Sequence, residues 1–343
     1  MLDNLKYIHD KDAQDAFGVI EKQWKQLVYS YSVDFKPSDD IHNVVLSGMG
    51  GSAWPALYIT SWPGINVPLE VSSNYNVPMY VNSRTLFIAS SYSGNTEETL
   101  AALEEAESRQ AQIVIMTAGG KLLDIARAKG YPLFVIPSGT QPRMSSFYFI
   151  AAFIELFKPL HLLTDPGSIK LDELSTWLST QLTSWKPDVP TSQNPAKQLA
   201  LEIAGKTAII YSGSLLGPVA KKMKICMNEN AKNLAWCYQY PEFSHNEFIG
   251  WSSHPIDKPF AVIEIRSNLE HPRIQKRFEI SESMLSGMRP SPHVISPLGD
   301  TIQQQMFWQS MYGDYVCTYL ALLNGVNPTP VDLVEKFKEE LNK

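Results

Sequence analysis

Two short segments combine glycine and hydroxyl residues in a pattern suited to binding an anion. Residues 47–52, with the sequence SGMGGS, supply glycines that let backbone N–H groups approach an anion closely. Residues 90–99, SSYSGNTEET, supply four hydroxyls where a predicted helix begins, an end that favours negative charge. The hydroxyls are Ser90, Ser91, Ser93 and Thr96. Because neither segment contains Lys or Arg, we predict a phosphate held by hydrogen bonds, as on a phosphosugar.

Glu229 is a candidate base for moving a proton between adjacent carbons of such a ligand. It lies late on a predicted helix, in the sequence MNENAK. Three asparagines surround it: Asn228, Asn230 and Asn233. Because asparagine is a poor helix former, we interpret this cluster as favouring binding and Glu229 as catalytic. The alternative is a solvated carboxylate paired with Lys232 or Lys222.

Two further side chains suit the same chemistry. His245 lies in an aromatic, polar loop, and imidazole exchanges protons near neutral pH. A half-buried structural histidine is an equal alternative. Arg143 follows a predicted strand and begins a helix, where its guanidinium could hold an enolate-like oxygen. The alternative is a surface arginine, although positive charge is slightly unfavourable at a helix start.

The last predicted helix, near 330–341, contributes a candidate lysine. Its apolar stripe comprises Val334, Phe337 and Leu341. At 100° per residue, Lys338 flanks that stripe, whereas Lys336 points away from it. We therefore expect Lys338 to be the lysine that reaches inward. The alternative is a solvated C-terminal lysine.

Alternating strands and helices must position these residues. In the first half, predicted strands lie near 43–48, 68–72, 85–91, 112–117 and 132–136. Predicted helices lie near 10–31, 52–62, 96–109, 120–129 and 143–157. Thr96 or Asn95 should cap the third of these helices, with Glu97 and Glu98 in its first turn. The alternation predicts an α/β fold with a doubly wound parallel sheet, in which loops at strand carboxyl ends lie side by side.

The pattern restarts after a proline-containing stretch at 185–195, which we interpret as a linker or surface connection between domains. A further helix is predicted just before it, at 169–185. Later strands are predicted at 207–214, 260–265 and 293–295, and helices at 217–232, 301–324 and 330–341. This repetition predicts two similar α/β domains, residues 1–160 and 161–343. Since the loop near Ser212 lacks the hydroxyl cluster, we expect one phosphate site per chain.

Composition narrows the class of protein. The 343 residues carry a net charge of −6 without a Lys/Arg cluster, so a nucleic-acid partner is not expected. The sequence shows neither a signal-peptide pattern nor a run of about 18 apolar residues, so no membrane association is expected. Cys226, Cys237 and Cys317 have no zinc-site spacing. We expect buried cysteines in a reducing compartment and a cytoplasmic protein.

Taken together, these motifs resemble those of the bifunctional phosphoglucose/phosphomannose isomerases, members of the sugar isomerase (SIS) fold superfamily. The resemblance covers essentially the whole chain. Its motifs lie at 47–52, 91–99, 141–143, 228–232, 244–247 and 327–331. It implies two SIS-type doubly wound domains. It also implies an aldose–ketose isomerase that interconverts glucose 6-phosphate and mannose 6-phosphate with fructose 6-phosphate through an enediolate.

The resemblance also implies residue roles. The implied phosphate site comprises Gly51, Ser52, Ser91, Ser93 and Thr96. Glu229 would shuttle the proton between C1 and C2, and Arg143 would stabilise the enediolate. His245 and a C-terminal lysine would assist ring opening, and Thr329 matches a threonine linked to accepting mannose 6-phosphate. No cofactor or metal is implied.

The family resemblance further implies a homodimer in which the histidine reaches the neighbouring subunit's active site. Two alternatives remain from the sequence. The chain could isomerise another phosphosugar, or it could be a non-catalytic phosphosugar sensor. The sensor is less favoured because Glu229, His245 and Arg143 are all present and no helix-turn-helix module is evident.

Overall fold

A computed structural model describes residues 1–33, 35–37, 40–253 and 259–341. The chain divides into two compact units. The N-terminal unit is Lys22–Trp177, and the C-terminal unit combines Met1–Glu21 with Leu178–Lys343. These units differ from the predicted division at residue 160 in two ways: the first 21 residues group with the second half of the chain, and the later boundary follows Trp177. Those residues form α1 (Leu5–Lys11) and α2 (Ala16–Glu21).

The N-terminal unit contains a five-stranded parallel sheet in the order β2-β1-β3-β4-β5. Its strands are β1 (Asn43–Ser47), β2 (Leu69–Ser72), β3 (Thr85–Ser91), β4 (Gln112–Thr117) and β5 (Leu133–Val135). Its helices are α3 (Gly50–Ala53), α4 (Pro55–Ser61), α5 (Glu97–Ser108), α6 (Gly120–Lys129), α7 (Ser146–Phe157) and the start of α8 (Leu171–Gln181). Every residue of β3 is buried, which is typical of a central parallel strand covered on both faces.

The C-terminal unit repeats this design with four parallel strands in the order β7-β6-β8-β9. The strands are β6 (Thr207–Ser212), β7 (Ala235–Gln239), β8 (Phe260–Ile265) and β9 (His293–Ile295). The helices are α9 (Pro195–Ile203), α10 (Gly217–Glu229), α11 (Glu247–Gly250), α12 (Pro272–Met284), α13 (Ile302–Leu323) and α14 (Asp332–Leu341). β6 and β8 therefore correspond to β1 and β3. The predicted α/β class with parallel sheets flanked by helices is confirmed.

Two predicted helices are interrupted for local reasons. The helix expected at 10–31 breaks after α1, because the Asp12 carboxylate accepts hydrogen bonds from the N–H groups of Ala16 and Phe17 and so starts α2. A 3₁₀ helix, Gln23–Val28, follows. The helix expected at 52–62 divides at Trp54, because Pro55 has no N–H to continue α3 and instead starts α4.

The stretch at 185–195 lies inside the C-terminal unit and is ordered by packing on α13. The Trp185 ring lies edge-on to Trp308, with 5.0 Å between ring centroids, and to Tyr312, at 5.2 Å. Asn194 is buried and caps α9 by accepting hydrogen bonds from the N–H groups of Ala196 and Lys197. This stretch is therefore a structured connection of that unit.

Candidate functional site

The loop between β3 and α5 gathers the predicted hydroxyls around Ser91. The Ser91 Oγ atom lies 2.7 Å from Thr96 Oγ1 and 3.4 Å from Ser93 Oγ, and it accepts a 3.1 Å hydrogen bond from the Gly94 N–H. Gly94 has a φ of 69°, a left-handed conformation that glycine adopts without a steric penalty. The loop therefore folds three hydroxyls together at the carboxyl end of a central strand.

Ser52 joins the glycine-rich segment to this hydroxyl loop. Its Oγ accepts a 2.9 Å hydrogen bond from the Tyr92 N–H, and its carbonyl accepts a 2.7 Å bond from the Ser90 hydroxyl. Both Ser52 and Ser91 are buried. The structure thus brings the predicted phosphate-binding residues into one site of the N-terminal unit.

The start of α5 suits an anion better than the sequence indicates. Thr96 is the N-cap residue, but its hydroxyl bonds Ser91 and makes no capping bond to the helix. Asn95 accepts a 3.0 Å bond from the Lys121 N–H and so serves α6 instead. The predicted capping of α5 by either side chain is therefore wrong. Glu97 and Glu98 occupy the first turn, as predicted. An N-terminus without a side-chain cap keeps N–H groups available to a bound anion.

The hydroxyl loop is also fixed to the loop before α6. A Cβ atom at Gly94 would lie 1.7 Å from the Gly119 carbonyl oxygen, and one at Gly120 would lie 2.3 Å from the Ser93 carbonyl oxygen. The Leu122 N–H donates a 3.0 Å bond to the Gly94 carbonyl. Backbone contacts from β4 and α6 therefore hold the shape of the hydroxyl loop.

Arg143 lies in a 3₁₀ turn, Pro142–Met144, against the glycine-rich segment. A Cβ atom at Gly51 would lie 2.6 Å from the Arg143 backbone nitrogen, so only glycine permits this approach. The Arg143 side chain is 1% exposed, with Nη1 3.5 Å from the Gln141 side-chain oxygen. The alternative of a surface arginine is therefore wrong.

Tyr92, which the sequence reasoning did not single out, links the hydroxyl loop to the segment before Arg143. Its hydroxyl donates a 3.2 Å bond to the Pro137 carbonyl and accepts a 3.3 Å bond from the Thr140 N–H. Its position inside the serine-rich motif was the available signal. Tyr92 therefore connects two loops at the carboxyl edge of the sheet.

The remaining candidates belong to the C-terminal unit. Glu229 is the last residue of α10 and is half-buried. Two of its neighbouring asparagines stabilise the following turn, which differs from the expected binding role: Asn228 Oδ1 accepts a 3.1 Å bond from the Ala235 N–H, and Asn233 Nδ2 donates a 3.0 Å bond to the Lys206 carbonyl. α10 therefore ends in a locally fixed turn that carries Glu229.

The two lysines offered as alternative partners for Glu229 have other contacts. Lys232 donates to the carbonyls of Asn327, at 2.7 Å, and Asn230, at 3.3 Å. Lys222 forms a fully buried ion pair with Asp314 of α13. That buried pair fixes the middle of the helix that ends at Glu229.

His245 is exposed at the end of a 3₁₀ turn, Glu242–His245. The alternative of a half-buried histidine is therefore wrong. Lys338 also lies differently from the expectation. No residue of α14 is buried, Phe337 is 64% exposed, and Lys338 pairs with Glu335 at 2.8 Å. Because the apolar stripe is not buried within the chain, Lys338 does not reach inward beside it.

The C-terminal unit fills the position that corresponds to the glycine-rich segment with its own carboxylate. Glu270, which follows β8, is 4% exposed, and its Oε1 accepts a 2.7 Å bond from the Leu215 N–H just before α10. A Cβ atom at Gly213 would lie 2.2 Å from the same oxygen. Burial raises the pKa of Glu270, and the bonds from Leu215, Leu216 and Ser214 partly oppose this.

Among the residues that the structure describes, no cluster of three or more His, Cys, Asp or Glu side chains could hold a metal ion. Within the same ranges, no helix is long and apolar enough to cross a membrane. Cys226, Cys237 and Cys317 form no disulfide with one another; Cys226 and Cys317 are buried and Cys237 is partly exposed.

Known proteins share this architecture. Residues 192–341 match the model of the bacterial phospho-glucose isomerase C-terminal SIS domain. A solved structure, a glucose-6-phosphate isomerase like protein from Thermus thermophilus, superposes with a TM-score of 0.62 at 18% identity. That superposition covers 97% of this chain and 99% of the other. At this identity the likeness supports the fold alone.

Relatives with higher sequence identity identify the family of the chain. A bifunctional phosphoglucose/phosphomannose isomerase from Caldicellulosiruptor bescii is 36% identical over 90% of this chain and 92% of its own. A D-glucosamine-6-phosphate 4-epimerase from Sulfolobus acidocaldarius is 33% identical over 68% of this chain and 72% of its own. The first relative matches both units over nearly their full length. The chain therefore belongs to the bifunctional phosphoglucose/phosphomannose isomerase family.

Proposed function

We propose that the chain is an aldose–ketose isomerase that interconverts glucose 6-phosphate and mannose 6-phosphate with fructose 6-phosphate. The observation that carries this proposal is the hydroxyl cluster of Ser91, Ser93 and Thr96 at the uncapped start of α5. Such a cluster suits a phosphate monoester. The name of the Caldicellulosiruptor bescii relative, a phosphoglucose/phosphomannose isomerase, indicates which sugars carry that phosphate.

In the proposed reaction, the sugar is held by its phosphate and opened to the chain form with help from His245 and a C-terminal lysine. The Glu229 carboxylate removes the proton from C2 of the aldose and returns it to C1, while the hydroxyl proton passes from O2 to O1, which gives the ketose. The Arg143 guanidinium stabilises the negative charge on the enediolate oxygen between these steps. Because C2 is planar in the enediolate, glucose and mannose epimers share one intermediate.

We propose that no metal or cofactor is required, that the enzyme is cytoplasmic, and that it is a homodimer with shared active sites. Three cysteines that form no disulfide fit a reducing compartment. The exposed stripe of α14, Val334, Phe337 and Leu341, supplies apolar surface that a second copy could cover. Sedimentation at micromolar concentration tests the assembly.

A coupled assay with glucose 6-phosphate and mannose 6-phosphate, with and without a chelator, tests the activity. We expect turnover of both sugars that the chelator leaves unchanged. Inactivity on both would favour the phosphosugar sensor, and sensitivity to the chelator would contradict the metal-independent mechanism.

A second candidate function follows from the 4-epimerase relative. Incubation with glucosamine 6-phosphate, followed by NMR of the product at C4, addresses it. Epimerisation at C4 without any ketose 6-phosphate formation would replace the proposed isomerase with an enzyme acting on another phosphosugar.

A further inference from the structure

The exposed position of His245 raises the question of what fixes its imidazole. We define the His245 segment as residues 242–251, the 3₁₀ turn followed by α11 and Trp251. The Asn246 side chain donates a 2.7 Å bond to Glu242 Oε1 and accepts a 2.6 Å bond from the Glu247 N–H. These bonds close the backbone around His245. They do not attach the segment to the sheet.

The attachment to the sheet comes from Tyr211, near the carboxyl end of β6. The fully buried Tyr211 hydroxyl donates a very short hydrogen bond to the Glu247 carboxylate. The same oxygen accepts a 3.0 Å bond from Trp251 Nε1. The Tyr211 hydroxyl therefore bonds a residue at each end of α11. The first of these residues, Glu247, lies two positions after His245.

Ring packing fixes the other side of His245. The Phe243 ring is buried, with its centroid 4.5 Å from that of Tyr211 and 4.8 Å from that of Tyr240. His245 is thus bracketed by a residue packed on Tyr211 and a residue hydrogen-bonded to Tyr211.

Burial and the adjacent Glu247 carboxylate keep this phenol protonated, so that it donates. Burial is the largest cause that raises the pKa of Tyr211, and the adjacent Glu247 carboxylate raises it further. The Trp251 bond and the positive charge of Arg289, 5.8 Å from the ring, oppose this only in part. A phenol that stays protonated at neutral pH gives one fixed donor–acceptor arrangement.

We propose that Tyr211 and Glu247 are positioning residues for His245 and set the reach of its imidazole toward the ring of the sugar. This inference rests on the proposed ring-opening role of His245. A side chain exposed on a short turn has many orientations, and a misplacement of about 1 Å can cost on the order of a hundredfold in rate. An anchor two residues away limits that freedom without contact with the substrate.

A double-mutant cycle tests the proposal. Tyr211→Phe removes the hydroxyl and keeps the ring, and we expect kcat to fall about tenfold with KM for glucose 6-phosphate nearly unchanged. Enzyme-catalysed interconversion of the two anomers of glucose 6-phosphate, followed by NMR exchange, should fall in parallel. In the His245→Ala background, Tyr211→Phe should cause no further loss, because residues that act through one another are not additive.

Tyr240→Phe is the matched control. Tyr240 is a buried neighbour in the same aromatic cluster, and its hydroxyl bonds no described residue of the His245 segment. We expect this variant to keep wild-type kcat. Glu247→Gln, which retains an acceptor for the Tyr211 hydroxyl, should lose less activity than Glu247→Ala.

The possible failures are distinguishable. Wild-type turnover in His245→Ala would remove the proposed role of His245 itself. A severe loss in His245→Ala, together with equal losses from Tyr211→Phe in both backgrounds, would leave that role intact and overturn the positioning role. If Tyr211→Phe fails to fold, Glu247→Ala removes the same hydrogen bond while leaving the aromatic cluster complete, and it takes the place of Tyr211→Phe in the cycle.

Discussion

The two units place loops at corresponding strand ends but fill them differently. After β1 and β3, the N-terminal unit presents hydroxyls around Ser91 and packs Gly51 against the Arg143 backbone. After β6 and β8, the C-terminal unit folds the Glu270 carboxylate onto the Leu215 N–H. One loop pair is thus suited to an external anion, whereas the other holds an internal one. Similar topology therefore does not imply two equivalent ligand sites.

The proposed mechanism assigns phosphate binding to residues of the N-terminal unit and proton transfer to Glu229 of the C-terminal unit. Glu229→Gln should separate phosphosugar binding from proton transfer most clearly. We expect turnover to fall about a thousandfold, within the range that general-base catalysis supplies, because the amide cannot accept the C2 proton. Phosphosugar binding measured by calorimetry should persist.

Glu279→Gln is the control for this change, since Glu279 is an exposed carboxylate on α12 paired with Lys276. Loss of binding in Glu229→Gln, or full activity, would contradict the division between binding and chemistry.

Substitution of Gly51 and of Gly213, one in each unit, should give the next largest difference in activity. Gly51→Ala must displace the Arg143 backbone, so we expect kcat/KM to fall about a hundredfold, as a misplacement of about 1 Å can cost. The three nearest atoms to the Gly213→Ala methyl group all belong to the Glu270 side chain, which can rotate, and none belongs to the backbone. This substitution should lower the free energy of unfolding by about 1–3 kcal/mol through lost hydrogen bonds and leave KM unchanged. Steady-state kinetics and urea unfolding of both variants measure this, and equal kinetic losses would remove the contrast.

Ser91→Ala should give a smaller effect on binding. Removal of one hydrogen bond to a charged group costs about 1.5–3 kcal/mol, so KM should rise at least about tenfold. Ser214→Ala, in the corresponding loop of the C-terminal unit, should leave KM unchanged. If inorganic phosphate inhibits both variants competitively with the same inhibition constant, the hydroxyl loop is not the phosphate site.

The smallest expected effect is the pH dependence of stability that the buried Glu270 carboxyl group contributes. Because burial raises the pKa of Glu270 in the folded state, the folded chain holds this proton more tightly than the unfolded chain does. The stabilisation is present below the ordinary carboxyl pKa of 4.5 and declines as pH rises through the higher folded-state pKa. Glu270→Gln cannot titrate. The wild-type free energy of unfolding relative to this variant should therefore fall from about pH 4 upward, and a flat difference would show that the site does not titrate.

Local sequence patterns predicted much of this architecture. Continuous apolar runs such as β3 mark central parallel strands, and the glycine and hydroxyl motifs lie where such strands end. β7 was missed because it lacks a strong apolar run: of its five residues, only Ala235 is buried. The break at Trp54 follows from Pro55, a signal that was present in the sequence but outweighed by helical periodicity.

Long-range contacts could not be predicted. Glu270 meets Leu215 across 55 residues, and no local pattern indicates that a carboxylate will turn onto another loop. The exposed stripe of α14 has the periodicity of a buried helix face, so the sequence cannot show whether this chain or a second copy covers it. The Tyr211–Glu247 bond likewise joins residues 36 positions apart.

The tight contact of Gly94 and Gly120 with neighbouring backbone has a consequence for protein engineering. A ten-residue cassette of the hydroxyl loop, moved alone into another parallel sheet, would lack the Gly119 and Leu122 backbone that supports it. The backbone that fixes the loop runs from β3 through the first turn of α6, and Ser52 of α3 adds two hydrogen bonds to it. A designer who wishes to transplant this anion receptor must carry that whole segment together with the support from Ser52.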